Sequence, residues 1–310
     1  MISVVIPLYN KQRQIADTLR SVLRQSFRDF EIVVVNDGSS DGSMAAAEAV
    51  HDARIRIIHQ ENTGVSAARN RGIAESRYEL IALLDADDHW MPDYLQTQYE
   101  LIQKYPECSV WVCDYEFVHS DGSVHPTCIR KLPFAGEDGI LSNYFEVASC
   151  SHPPICSISI VVRKCALQAI GGFPVGIQWG EDLLTWARLA FSYQLAYSRR
   201  VLASYSFAPT DAAARLPRDI EAVPDEVGTK LVAMRERTDD RKRRRELGLY
   251  IAFWFKMRAH INIVWGNEKA ARKNAGYAII YQWSNLKAWI ILCLSLLPEF
   301  LLVRLLKSKR

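Results

Sequence analysis

Near the start of the chain, apolar residues come in short unbroken runs, and each run is followed by a stretch where they recur every three or four positions. Ile2 to Leu8 is the first run, and Ile15, Leu19, Val22 and Leu23 then mark one face of a helix. Phe30 to Val35 reads as a second strand, and Asn36-Asp-Gly-Ser-Ser-Asp-Gly-Ser43 after it is dense in turn and N-cap residues. A short alanine-rich helix (Met44 to Val50), a third strand (Ile55 to His59), a loop (Gln60 to Gly64), a helix from Val65 to about Ser76 and a fourth strand (Leu80 to Leu84) complete the series. Strands alternating with helices through short connections predict an α/β fold, doubly wound around a mostly parallel sheet.

Beyond Pro92 the pattern predicts a helix over Tyr94 to Tyr105, a strand over Val110 to Val118 and a hairpin turn at Ser120-Asp-Gly-Ser123. Residues 124 to 156 look like a long excursion, and such loops are uncommon unless functional. Ser157 to Arg163 is strand-like again, Ala166 to Ile170 a short helix and Gly171 to Pro174 a sharp turn. Trp179-Gly-Glu-Asp182 then precedes an amphipathic helix through Leu184, Ala187, Leu189 and Phe191. From Ile220 onward the pattern is helical, which sets an expected division into residues 1–215 and a basic, aromatic-rich helical region over 216–310.

Charge separates these two parts. The net charge of +3 conceals 17 Lys and Arg against 6 Asp and Glu from Arg235 to Arg310, so the rest of the chain is acidic. A basic tail points to an anionic surface as partner. The apolar stretch between Lys287 and Arg304 is 16 residues long and includes Pro298 and Glu299, short of the roughly 20 apolar residues a spanning helix needs. It is expected to lie in a membrane interface, with a soluble helical bundle or a homo-oligomer contact as the alternative and nucleic acid third, since no recognised nucleic-acid-binding module matches. Seven scattered cysteines without a Cys-x-x-Cys pair fit reduced, cytoplasmic thiols, buried and structural in the Cys150-Ser-His152-Pro-Pro-Ile-Cys156 stretch. Met1 leads directly into a strand with no basic, signal-like segment, so a peripheral position on the cytoplasmic face is expected.

The chemistry gathers at Leu83-Leu-Asp85-Ala86-Asp87-Asp88-His89. Three carboxylates crowd the C-terminal end of an apolar strand, where open α/β sheets place their ligands. They repel one another unless positive charge joins them. A divalent cation, Mn²⁺ or Mg²⁺, meets that need, and a solvated turn before a helix N-terminus is the plainer reading.

Pro7-Leu-Tyr9-Asn10, Asn36-Asp37-Gly-Ser39, Asn62-x-Gly64-x-x-x-Ala68-Arg69-Asn70 and Asp85-Ala86-Asp87 occur in that order, and together they strongly resemble the family 2 glycosyltransferases, inverting enzymes of GT-A fold, from Ile2 to about Phe191. The resemblance implies a nucleotide-sugar donor, UDP-linked, with Pro7, Tyr9 and Asp37 lining the base pocket and Arg69 contacting the donor. It implies that Asp85 faces the ribose or the metal's water shell, that Ala86 belongs to the nucleotide-binding set and that Asp87 coordinates the cation. Asp88 is left between this site and a cap on the following turn. Asp182, beside Glu181 at a helix start, corresponds to the base that takes the acceptor's proton, and its ordinary carboxylate pKa of about 4 would leave it ionised. Trp179 is a candidate to stack on an acceptor sugar, as is Trp186, which reads equally well as core. The implied acceptor is a glycan or lipid-linked hydroxyl in cell-surface polysaccharide synthesis.

Two rival chemistries are disfavoured. A dehalogenase-type phosphatase shares Asp-x-Asp but normally carries Thr or Val where His89 stands, and a dinucleotide-binding loop needs glycines that Pro7 to Lys11 lack. The remaining alternative is a non-catalytic nucleotide-sugar-binding or membrane-scaffold protein of the same fold.

Overall fold

The computed structural model describes residues 1–207 and 220–297. Tertiary contacts divide the chain into two compact units, residues 1–144 with 152–209, and residues 145–151 with 210–310. The division expected at 215/216 and the last part of the Lys287–Arg304 stretch lie outside the described residues.

The first unit is built on β1 (Ile2–Leu8) and β2 (Phe30–Asp37), which are buried along their whole length. Both faces are covered, so every position is apolar or paired, as in sheets flanked by helices on each side. β1 runs parallel to β2 with Ile2 opposite Phe30, and parallel on its other edge to β4 (Leu80–Leu83). β3 (Ile55–Gln60) lies outside β2. The chain thus winds outward from β1 to β3 and then returns to β1's free side, which opens a crevice at the strands' C-terminal ends. The crossover that makes this return carries α3 (Val65–Glu75). Its Gly72 has no room for a side chain, because a Cβ there would stand 2.3 Å from Val5 Cγ1. That approach seats α3 against the sheet. α1 (Ile15–Leu23) buries Ile15, Thr18, Leu19 and Val22, the face its spacing predicts, and α2 (Ser43–Glu48) is the short helix after β2.

The rest of the sheet is mixed. Among the described residues ten strands form one sheet, and its main path continues from β4 through β9 (Ile160–Arg163), β6 (Val110–His119) and β10 (Leu195–Phe207) to β5 (His89–Trp90). β6 and β10 pair in parallel, whereas β9 is antiparallel to both β4 and β6. α4 (Tyr94–Lys104) precedes β6, and the predicted hairpin leads into β7 (Val124–Pro126). The excursion also holds β8 (Asp138–Ile140), which pairs with β10, and α5 (Tyr144–Cys150). α6 (Lys164–Ala169) and α7 (Glu181–Ser192) follow β9.

β10 is the longest of the elements that the hydrophobic pattern does not predict, the others being β5, β8 and α5. Arg199 and Arg200 interrupt its apolar run, and the register shifts between Ser198 and Ala203 bulge both residues outward. There Arg199 donates to the carbonyls of Phe134 and Gly136, and Arg200 reaches Asp93 and Thr97. A bulge supplies an extra residue, so the strand's buried side resumes in phase beyond the two charges.

The second unit is helical: α8 (Glu226–Glu236), α9 (Arg241–Val264), α10 (Glu268–Tyr281) and α11 (Leu286–Leu294). Each starts at an Asp or Asn, namely Asp225, Asp240, Asn267 and Asn285, whose side chain accepts an N–H from the first turn. Ala259, Ile263, Ala271, Ala275 and Ile291 form one apolar cluster, whose alanines let the helices approach closely, and Leu231, Leu247, Tyr250, Ile251 and Trp254 are buried besides. No described helix is long and apolar enough to cross a membrane.

All seven cysteines are free; Cys150 is exposed rather than buried, and Cys156 is half-buried. Gly72→Val should cost about 1–3 kcal/mol of stability through overpacking, read as a lowered urea midpoint with unchanged slope. An unshifted midpoint would mean that α3 is not seated as described.

Candidate active site

Three loops at the C-terminal ends of β1, β2 and β4 border the crevice, and the first two are laced together. Asn10 holds the left-handed backbone region with φ 51°, where its side-chain oxygen accepts from Ser40 N at 2.9 Å. Ser39 Oγ in turn accepts from Asn10 N, and Ser43 Oγ from Lys11 N at 2.7 Å. Pro7 is buried in β1, while Tyr9 just beyond it is 47% exposed, its ring available to a ligand.

Asp37 closes β2 and is buried. Its Oδ1 accepts from Gln60 Nε2 (2.7 Å) and Thr63 N (2.9 Å), and its Oδ2 from Gly64 N (2.9 Å). The same carboxylate that the motif assigns to a nucleotide base therefore organises the loop before α3. Gly64, at φ 92°, starts that helix, and Gly38, at φ 69°, leaves space that a Cβ would take from Asn62 N at 2.9 Å.

Arg69, projecting from α3, is 5% exposed and joins the distant parts of the site. Its Nη2 donates to Asp85 Oδ1 at 2.7 Å, its Nη1 stands 3.8 Å from Glu181 Oε1, and the guanidinium lies 5.2 Å from the centre of the Phe173 ring. Burial works against its charge, but Asp85, Glu181 and Asp182 outweigh burial and raise its pKa further. Neighbouring Asn70 locks the Phe173 segment in place: its Nδ2 donates to Phe173 O and its Oδ1 accepts from Phe173 N, both at 2.8 Å.

The three crowded carboxylates meet three different fates. Burial alone would raise Asp85, but Arg69, the Ser157 hydroxyl on Oδ2 at 2.7 Å and Lys11 hold it below the ordinary carboxylate value. Asp87 pairs with Lys11 Nζ at 2.6 Å. Asp88 turns inward to accept from Ser206 N at 2.6 Å, and burial together with its two negative neighbours pushes it well above the ordinary value, which favours the neutral acid. Among the described residues its carboxylate accepts from β10 and not from the turn that follows it. Ala86 is buried, its carbonyl held by Thr18 Oγ1 at 3.0 Å.

Glu181 and Asp182 open α7 after Gly180, which takes φ 81° to turn the chain into the helix. Burial, then the Asp182 charge, push Glu181 up to about 7 against the pull of Arg69. Asp182 is also raised, chiefly by burial, although the Leu183 N–H at 2.7 Å and Arg69 oppose it. The expectation that Asp182 keeps an ordinary carboxylate pKa is thus corrected: two acids share a dry helix start that does not favour both as anions. Trp179 is half-buried, and Trp186 is fully buried core against Phe173.

The structure thus brings Arg69, Asp85, Glu181 and Asp182 together, with Lys11 and Asp87 beside Asp85. Lys11 stands next to the Pro7–Asn10 motif and was open to notice there; Ser157 carried no signal in sequence.

The family profile described as Glycosyl transferase family 2 matches residues 3–154. The putative teichuronic acid biosynthesis glycosyltransferase TuaG of Bacillus subtilis (strain 168) is 33% identical over 210 residues, which span 66% of this chain and 78% of that one. The chain belongs to glycosyl transferase family 2. The resemblance read from the four motifs therefore holds, and so does the GT-A fold. S. aureus TarS 1-349 in complex with UDP-GlcNAc superposes with TM-score 0.66 at 15% identity, covering 95% of this chain and 90% of that one. Mannosyltransferase PcManGT from Pyrobaculum calidifontis, in complex with GDP-Man and Mn²⁺, gives 0.62 at 19% identity over 94% and 78%. At these identities the likeness concerns the fold. This family 2 chain spans 42%, 26% and 33% of the length of the first curated relatives it matches.

A divalent cation, implied by the resemblance, can be tested against the donor set. Among the described residues no group of three His, Cys, Asp or Glu is placed to enclose a metal. Asp85 is committed to Arg69 and Ser157, which leaves Asp87 as a hard oxygen donor with a lysine on one oxygen. Such a set fits Mg²⁺ or Mn²⁺ only where substrate phosphates complete the shell, a usual arrangement for these ions, and where Lys11 gives way.

Because the folded state holds the Glu181 proton up to about 7, its contribution to stability is full below the ordinary carboxylate pKa and is lost as pH rises through about 7. Glu181→Gln cannot ionise. Its unfolding temperature relative to the parent should therefore be higher at pH 8 than at pH 5, by calorimetry; equal differences at the two pH values would refute the assignment.

Proposed function

We propose that the chain is a metal-assisted, inverting glycosyltransferase that moves a sugar from a nucleotide donor, UDP-linked, to a hydroxyl of a glycan or lipid-linked acceptor in cell-surface polysaccharide synthesis. The observation that carries this reading is the Arg69 bridge, which ties the acidic end of β4 to the acid pair at the start of α7. Tyr9 would stack on the base, and Asp37, with Pro7, would shape its pocket. Arg69, Asp85 and Ala86 would border the donor. A cation held by Asp87 would neutralise charge developing on the departing diphosphate.

Asp182 is the proposed base. As the acceptor oxygen attacks the anomeric carbon, its proton passes to Asp182, and the bond from that carbon to the diphosphate oxygen breaks with the electron pair leaving on the nucleotide. Attack opposite the leaving group inverts the anomeric centre. A carboxylate raised toward neutrality is a stronger base than an ordinary one while still ionised in part, which suits proton abstraction. Glu181 and Trp179 would face the acceptor. The relative named for teichuronic acid biosynthesis and the TarS complex with UDP-GlcNAc support the pathway class and the donor class.

The second unit supplies the proposed membrane contact on the cytoplasmic face. Ile280 and Trp283 are 75% and 77% exposed, and Leu286, Trp289, Ile290 and Leu296 continue an apolar surface beside Lys287. Aromatic and aliphatic side chains next to lysine suit an anionic interface.

Asp182→Asn should lower sugar transfer by about 10²–10⁴-fold, the usual worth of a general base, with the circular dichroism spectrum unchanged. Asp87→Ala should abolish the Mn²⁺ dependence of nucleotide release along with transfer. Near-parental turnover in either variant removes that residue from its role. Deleting residues 286–310 should reduce co-sedimentation with phosphatidylglycerol vesicles several-fold; equal sedimentation of the two chains would refute the interfacial reading.

A further inference from the structure

The helical unit carries an open-sided cavity of about 530 Å³, within the range of small-molecule sites. Its polar lining centres on Arg258, a residue 5% exposed on α9. Nη2 of Arg258 donates to Glu221 Oε1 at 2.7 Å and to Ile220 O at 3.1 Å. Among the described residues Nε, itself buried, meets no hydrogen-bond acceptor, and Asp225 Oδ2 stands 3.6 Å away, in ion-pair range only. Glu221 Oε1 also accepts from the amides of Asn262 (3.1 Å) and Asn274 (3.0 Å), and Asn274 too lines the cavity. These groups keep Glu221 ionised: burial would raise it, but Arg258 and the two amides hold it below its ordinary value.

Aromatic faces make up the opposite character. Phe255, Tyr277 and Tyr281 line the same space, with Phe255 and Tyr277 ring centres 5.0 Å apart, and Tyr277 is 41% exposed. Charge then selects among occupants. The lining holds three carboxylates, Glu221, Asp225 and Glu236, against two cations, Arg258 and Lys273. A phosphate or nucleotide would meet net negative charge and an arginine already paired. A small cation would meet Arg258 on the inner side and Lys273 at the rim. A neutral ring bearing hydroxyls can donate to the carboxylates, accept from Lys273 or the Thr229 hydroxyl in the lining and lay its C–H face on an aromatic ring.

We propose that this cavity is a saccharide-binding site, separate from the transfer site, which holds one or two sugar residues of a glycan. Naming that glycan as the acceptor chain rests on the transferase reading above; the cavity's preference for a saccharide does not. A chain gripped there would raise the local concentration of its reactive end.

The test is saturation-transfer NMR on the full chain with glucose, galactose, N-acetylglucosamine, cellobiose, lactose and chitobiose, with spermidine as one control and inorganic phosphate, followed by its ³¹P line width, as the other. At least one saccharide should bind at millimolar concentration, Tyr277→Ala should weaken it at least fivefold, and Tyr277→Phe, which keeps the ring, should retain it. UDP binding, followed in the same samples, should be unchanged in both variants. The proposal is overturned if no saccharide binds, if binding survives Tyr277→Ala, if UDP or Asp182→Asn removes it, or if only spermidine or phosphate shows the Tyr277 dependence. Loss of UDP binding with saccharide binding intact would count against the transferase reading alone.

Discussion

A single buried guanidinium holds the candidate site together. Arg69 has little exposure to water, and a charge in that position is tolerable only when opposite charges surround it. Asp85 comes from the end of β4, and Glu181 and Asp182 from the start of α7. These acids are far apart in the chain, and each is costly to bury alone. Folding brings them to one cation, so the electrostatic demand of Arg69 and the assembly of the crevice are the same event. Gly72, one turn along α3, is the steric condition, because without it the helix that carries Arg69 could not lie so close to β1.

Around this centre, proximity sorts otherwise similar carboxylates by environment. Asp85 is held ionised by Arg69 and Ser157, Asp87 faces a lysine at the crevice, and Asp88 is driven toward the neutral acid by burial and by its neighbours. Glu181 and Asp182, drier and close together, are raised. Opposite protonation tendencies thus arise in Asp85, Asp88, Glu181 and Asp182 from their surroundings, without any unusual chemistry in the side chains themselves. Lys11, a long and flexible ammonium, neutralises Asp87 at 2.6 Å.

The helical unit follows a different logic. Four of its helices begin at side-chain caps and pack through alanines as well as buried aromatics such as Tyr250 and Trp254, while a buried Arg258–Glu221 pair braces the cavity. Apolar side chains that a monomeric globular unit would normally cover remain on its surface, Trp283 and Ile280 foremost. Charged interior and apolar exterior are each expensive, which is a reason to look for a ligand at one and an interface at the other.

Local pattern alone determined the strand–helix alternation up to β4, the helical character after Ile220 and the four ordered motifs, because runs of apolar residues, 3.6-residue spacing and turn chemistry are properties of neighbours in the chain. It also placed Asp182 at a helix start. Tertiary structure decided the rest. β10 escaped notice because two arginines break its pattern, and only pairing with β6 and the bulge between Ser198 and Ala203 make it a buried strand. Lys11 against Asp87, Ser157 on Asp85, Asp88 turned inward and the raised acids of α7 all depend on distances between residues tens of positions apart. A sequence records which ionisable groups exist; the fold sets how dry each one is and which charge stands beside it, and those two quantities govern protonation.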